Sequence, residues 1–439
     1  MKNIMNLLKG KSAFGVLMLA MGLYGCADEK TSIYNPNYSS TTANPTISAI
    51  SPSTGYLAGV EKITITGTNF ETDTSKIRLY FDGKRGSILS ISSTSIDAIA
   101  NKNAIGDSVD VKVSVLGAEE FNPKFTYKLS SPLVPISEDI KNTDVITGNT
   151  EDAAGNKYMH IFRDGADIGI QKIDAVTAVM TPLIPASNLS VHNDLLVGTD
   201  GKFLSIQSKR GALFVYEPGV STRWTPTYIV GGTSIIDEIA IDENNRIWTV
   251  GRNPTIARFD YGTPSSVKRF TAFTDTLTAV QYFDKKLYIA GKIQGSLQVY
   301  AYEIDDSGEL VNGQTIYKMS QFTAGTVTAI NCMEIASDGT VYIGVDSPIK
   351  TRTVDGSVEY YAENGVIEIQ ADGSRANYLY PGVIPGSVVF MFWGEGESLT
   401  IVQAKITYTI DSSTSVVVQQ QNISKLNMLN KRRAPYYGG

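Results

Sequence analysis

The sequence predicts an all-β protein, a small two-sheet sandwich followed by a six-bladed β-propeller. Three observations carry this expectation: the composition, a set of alternating strands over residues 44–128, and a segment pattern that recurs six times after them. Charged residues make up only 19% of the 439, while 39 Gly and 23 Tyr favour strands and tight turns over helical surface. Lys and Arg number 38 against 44 Asp and Glu, and the formal net charge of -6 comes without basic runs, so nucleic acid is not an expected partner. Two Cys exclude a disulfide framework, and two His leave no multi-histidine metal centre, so neither metal nor other cofactor is expected.

The chain opens as an export signal over residues 1–25. Lys2, Lys9 and Lys11 precede an apolar run over 13–24 that is too short to span a membrane comfortably. The run ends in Leu23-Tyr24-Gly25-Cys26, which resembles a bacterial lipobox. That resemblance implies a lipid anchor on Cys26 as the first mature residue. Asp28 and Glu29 resemble the short surface-export signals of Bacteroidetes lipoproteins, and residues 26–43 are polar and turn-rich, as a tether would be. The second cysteine, Cys332, sits in Ala329-Ile330-Asn331-Cys332-Met333 and reads as a buried, inert thiol.

The sandwich occupies residues 44–128. In Ile63-Thr64-Ile65-Thr66 the isoleucines face one side and the threonines the other, and Gly67 and Asn69 suit a turn. Further strands follow at Ile77 to Phe81, Ser95 to Ile99 and Val109 to Val115. With Pro45 to Pro52, Gly55, Gly59 and the Ile63 to Phe70 stretch, this segment closely resembles the IPT/TIG family of immunoglobulin-like domains. The resemblance implies a rigid spacer.

Residues 129–439 carry the repeat. Six turns centre on Gly155, Gly201, Asn245, Lys285, Gly339 and Gly396, each followed by a strand such as RIWTV or KLYIA. After each come a return strand and a fourth strand; in the last unit these are ITYTIDS and SVVVQQ. Four strands repeated six times at this period is a propeller signature, and the DG-x-aromatic pattern resembles NHL-like propellers. Residues 133–137, LVPIS, are available as an extra strand where the ring closes.

Charge sorted by loop suggests a site. The connections between second and third strands carry Arg163, Lys209, Arg210, Arg252, Lys292 and Lys405, which makes one propeller face locally basic and suited to an anionic polysaccharide. An insertion over 346–364 adds Tyr360 and Tyr361, aromatic surfaces on which sugar rings stack. Trp224 is expected to be exposed on the opposite face. Asp237 and Glu238 are adjacent in a strand, so alternation sends them to opposite sides and makes no catalytic pair. His160 and His192 lie in strands of neighbouring blades that approach the central channel, which keeps open a propeller lyase or hydrolase. A structural subunit of an envelope complex is a third reading. The layout resembles the surface glycan-binding lipoproteins that accompany TonB-dependent transporters. It implies a cell-surface, lipid-anchored outer-membrane protein serving polysaccharide or nutrient uptake beside such a transporter.

Overall fold

The computed structural model describes residues 40–186, 192–207, 211–231, 235–252, 255–271, 276–354, 357–393, 396–409, 415–419 and 421–435. Two β-units follow one another. In the first, a four-stranded sheet of Thr46–Ser51, Lys62–Thr68, Ser95–Ile99 and Ser87–Ile91 packs on a five-stranded sheet built around Gly106–Val115 and Ile77–Phe81. The alternation expected at Ile63 and Ile65 is realised, since both are fully buried against Leu79, Phe81, Ile96 and Val111. Gly67 is required there because a Cβ would collide with the Thr46 carbonyl on the paired strand.

The second unit is a ring of six four-stranded antiparallel sheets. Their innermost strands are Val145–Glu151, His192–Val197, Ile235–Ile241, Leu277–Phe283, Ala329–Ile335 and Val388–Trp393, and each contacts the next until the sixth meets the first. All six turn centres named from the repeat have positive φ, between 57° at Asn245 and 83° at Gly339. That explains Gly or Asn at five of these turns, and Lys285 adopts the same conformation at a steric cost. Trp248, fully buried, donates its indole N–H to Asp242 Oδ2 at 2.8 Å, and the same carboxylate accepts the backbone N–H groups of Asn244 and Arg246. One acid therefore both shapes the turn and satisfies the buried indole.

The sixth blade differs from the strand assignment drawn from the repeat. Its third strand is Asn422–Asn427, and its outer strand is Leu133–Pro135, paired antiparallel with it. Ile406–Thr409 and Ser415–Gln419, expected as blade strands, form a separate hairpin. The insertion in blade 5 is likewise a hairpin, Lys350–Val354 with Ser357–Tyr361. The ring is thus closed by pairing the two ends of the propeller chain.

The last sandwich strand, Thr126–Ser130, leads into Leu133–Pro135 after only residues 131–132. Val60, like Leu133 and Tyr380, packs against the apolar cluster of blades 5 and 6, and Lys102 Nζ donates to the Gly382 carbonyl, so the sandwich rests against the closing blades.

Candidate functional site

Each innermost strand breaks register once, at equivalent places. The extra residues are Thr147, Asn193, Asp237, Thr278, Asn331 and Val389. A β-bulge places two residues opposite one and re-aims the side chain it carries. Here all six bulged residues line one cavity of about 610 Å³ at the mouth of the channel. This mouth lies on the face that carries the second-to-third-strand connections and both inserted hairpins.

The cavity is two-sided. Val145, Ile146, Val389, Phe390, Val402 and Ala404 form an apolar wall from blades 1 and 6. Opposite them stand Asn193, Asp237, Glu238, Thr278 and Asn331. Asp237 and Glu238 both border the mouth, which corrects the expectation that alternation separates them: the bulge at Asp237 cancels one step of the pleat.

Below the mouth lies a smaller chamber of about 110 Å³, bordered by Asp194, Glu238, Cys332, Glu334, Phe390 and Arg433. Glu238 and Phe390 border both spaces. Burial raises the acids of this chamber. Glu334 is lifted to about 8, with Arg433 opposing and Asp194 and Glu151 adding to the rise. Asp194 and Glu238 are also raised by burial, and the Asp194 charge adds to the shift of Glu238. Burial likewise pushes the Cys332 thiol well up, which keeps it unreactive. Arg433 arrives from the C-terminal segment, which crosses the opposite face: it bridges to Ala336, and Lys431 pairs with Asp338.

The basic residues singled out in the sequence fare differently. Arg163 forms a two-pronged pair with fully buried Asp144, Nε to Oδ1 at 2.8 Å and Nη2 to Oδ2 at 2.7 Å. Arg252 pairs with Asp237 at 3.1 Å on the rim. Lys292 is exposed. Lys209, Arg210 and Cys26 lie outside the described residues. Two of the basic side chains are therefore committed to carboxylates, and the charged residues that border the mouth are Asp237, Glu238, Arg252 and Lys405.

The aromatic residues are also placed differently from expectation. Tyr360 stacks on Tyr408 of the blade 6 hairpin at 4.8 Å, and Arg352 covers Tyr361 at 5.5 Å. The two hairpins thus brace one another beside the cavity, and neither tyrosine borders it. Trp224 is buried, packed on His192 at 4.8 Å and Tyr216 at 5.4 Å, so the expectation of an exposed tryptophan is overturned. It belongs to one apolar cluster with Tyr158 and Ile170 of blade 1 and Phe203 and Phe214 of blade 2.

His160 and His192 do meet, with ring centroids 4.4 Å apart, but each is only 1% exposed and neither borders the mouth or the chamber. Burial lowers both pKa values, His192 to about 3, so both rings are neutral near pH 7. His160 Nε2 lies 3.0 Å from Asp167 Oδ1, which also accepts the Gly169 N–H. His160 Nδ1 lies 2.6 Å from Thr147 Oγ1. His192 Nδ1 meets the Ser205 hydroxyl. The pair therefore reaches the cavity only through Thr147. Among the described residues, no three His, Cys, Asp or Glu side chains cluster as a metal site.

Several solved structures share this overall course. An auxiliary nutrient binding protein from Bacteroides thetaiotaomicron is 12% identical, with 89% of this chain and 98% of that one covered at a TM-score of 0.45. A protein of the same description from Bacteroides ovatus is 14% identical, covering 75% and 87% at 0.38. A gluconolactonase from Xanthomonas campestris is 12% identical, covering 67% and 89% at 0.46. At these scores the likeness carries no functional argument. No curated protein sequence matches the chain significantly. Residues 45–127 match the IPT/TIG domain family, so the chain carries an IPT/TIG domain ahead of its propeller.

Proposed function

We propose that this protein is a lipid-anchored accessory of nutrient uptake at the outer cell surface, and that it binds a saccharide in the propeller mouth. The observation that carries the reading is the convergence of six bulged residues on one 610 Å³ cavity. That volume lies in the range of small-molecule sites. An apolar wall facing a polar one suits a sugar ring, which has an apolar face and a belt of hydroxyls. The lipobox at Cys26 supports the anchor, and the polar tether with the sandwich supports a spacer holding the mouth away from the membrane. A TonB-dependent transporter is the partner that this layout suggests.

Binding fits the site better than catalysis does. The two histidines are enclosed, and among the described residues the one mouth hydroxyl that meets a base is that of Thr147, a β-branched secondary alcohol 2.6 Å from His160 Nδ1. The test is calorimetric titration of the mature chain, purified in detergent, with neutral, acidic and amino oligosaccharides. Saturable binding to at least one, lost on substituting Asn331→Ala and Thr278→Ala together, is the expected result. Absence of heat with all three classes overturns the reading.

A further inference from the structure

The donor hydrogens of the bulged side chains at the mouth are almost all consumed within the protein. Asp167 Oδ1 accepts the Gly169 N–H at 2.7 Å and faces His160 Nε2, so Nε2 carries the ring proton and Nδ1 is the acceptor. Thr147 must then donate its only hydroxyl hydrogen to His160 Nδ1, which leaves Oγ1 with lone pairs alone. Thr278 spends its hydroxyl hydrogen on the Ile330 carbonyl at 2.7 Å. Asn331 spends both amide hydrogens, on Asp346 Oδ1 at 2.8 Å and the Val388 carbonyl at 3.1 Å. Asn193 gives one to Asp237 Oδ1 at 3.3 Å, and Asp237 is itself an acceptor.

Five consecutive blades therefore present oxygen lone pairs at the bulge position, and the sixth presents Val389. Such a ring is answered by a ligand rich in donors. An acceptor-rich ligand would leave these oxygens facing one another without hydrogens between them. The floor also carries the acid Asp237, with Glu238 below it, while the nearest rim cation, Arg252, is already paired with Asp237. A carboxylate sugar would bring further acceptors to this ring of oxygens, contrary to the anionic ligand that the loop charges suggested.

We propose that the mouth selects an amino sugar, with its ammonium directed at Asp237, its hydroxyls donating to the Thr147, Thr278 and Asn331 oxygens, and its apolar face on Phe390 and Val389. This rests on the saccharide-binding reading above and names its substrate class. Lys405, exposed at the far rim, leaves room for the next residue of a chain to bear acceptors.

The test titrates the mature chain with three oligosaccharides of equal length: chitosan, cello- and oligogalacturonate. The expected order is chitosan first, at least tenfold tighter than cello-oligosaccharide, with oligogalacturonate weakest. Asp237→Asn is expected to cut the preference for chitosan over cello-oligosaccharide to under threefold. Thr278→Val, which removes an acceptor without changing shape, is expected to weaken chitosan binding severalfold and serves if the Asp237 variant fails to fold. Equal or tighter binding of oligogalacturonate overturns the amino-sugar assignment and leaves saccharide binding standing. An unchanged preference in Asp237→Asn, or in its absence unchanged affinity in Thr278→Val, overturns it too. Silence with all three overturns both.

Discussion

Glu334 offers a direct test of the electrostatics of the channel. Its carboxyl borders the inner chamber with Asp194, Glu238 and Arg433, and burial lifts its pKa from 4.5 to about 8. A carboxyl whose folded-state pKa is raised favours the fold most at low pH. That contribution is complete below the unfolded value near 4.5 and is lost as pH rises through about 8. Integrated between pH 5 and pH 8, the loss is roughly 3 kcal/mol, and sharing of charge with Asp194 and Glu238 trims it towards about 2. Glutamine keeps the shape and is neutral throughout, so Glu334→Gln is expected to escape the loss. At about 2 °C per kcal/mol for a chain this large, the variant should melt roughly 5 °C above the parent at pH 8. At pH 5 the two should nearly coincide. Thermal melts followed by circular dichroism at the two pH values measure the difference. A variant that melts below the parent at pH 8 would refute the reasoning, because it would mean that attraction to Arg433 outweighs the cost of burying the charge.

Two further outcomes are expected. Asp144→Asn breaks the buried pair with Arg163 and should cost roughly 3 kcal/mol at pH 7, read by urea denaturation. Burial raises the Asp144 pKa, but hydrogen bonds from Arg163 and the Lys141 N–H outweigh it, so the net shift is downward. The Asp144 contribution is therefore present above the ordinary carboxylate value and lost as pH falls through the lowered one; equal destabilisation by the variant at pH 7 and pH 2 would contradict it. Cys26→Ser should move the protein from the membrane pellet to the soluble fraction on cell fractionation, and retention in the pellet would argue against lipidation at this residue.

Much of the fold was legible because it rests on short-range rules. The Ile63 and Ile65 alternation and the six turn centres at Gly155, Gly201, Asn245, Lys285, Gly339 and Gly396 are local features, and each turn adopts the left-handed backbone that its position in the repeat implied. The last blade was misread for the complementary reason. Its hairpin at Ile406–Thr409 and Ser415–Gln419 has the alternation of blade strands, while its outer strand, Leu133–Pro135, lies in the 133–137 segment that the sequence offers as an extra strand at ring closure. No local pattern distinguishes an inserted hairpin from a blade strand, since both alternate with period two. Arg163 shows the same limit for charge. Its partner Asp144 lies in the connection leading into blade 1, outside the second-to-third-strand loops, so loop charges alone do not show that pair.

The site itself was hidden by the bulges. Period-two reasoning assigns Asp237 and Glu238 to opposite faces, and it would bury or expose Thr147, Asn193, Thr278 and Asn331 according to the strand phase. One extra residue at the same place in every innermost strand shifts that phase at the mouth and leaves it intact below. The cost is an interrupted ladder at each bulge, and it recurs in six blades whose sequences there differ. Packing alone does not require this, because the inner strands pair normally on either side of the break. The common break turns five polar side chains and one valine onto a single cavity. It explains why His160, buried and remote from solvent, still bears on the mouth. Its tautomer, held by Asp167, decides that Thr147 offers a lone pair there and not a hydrogen.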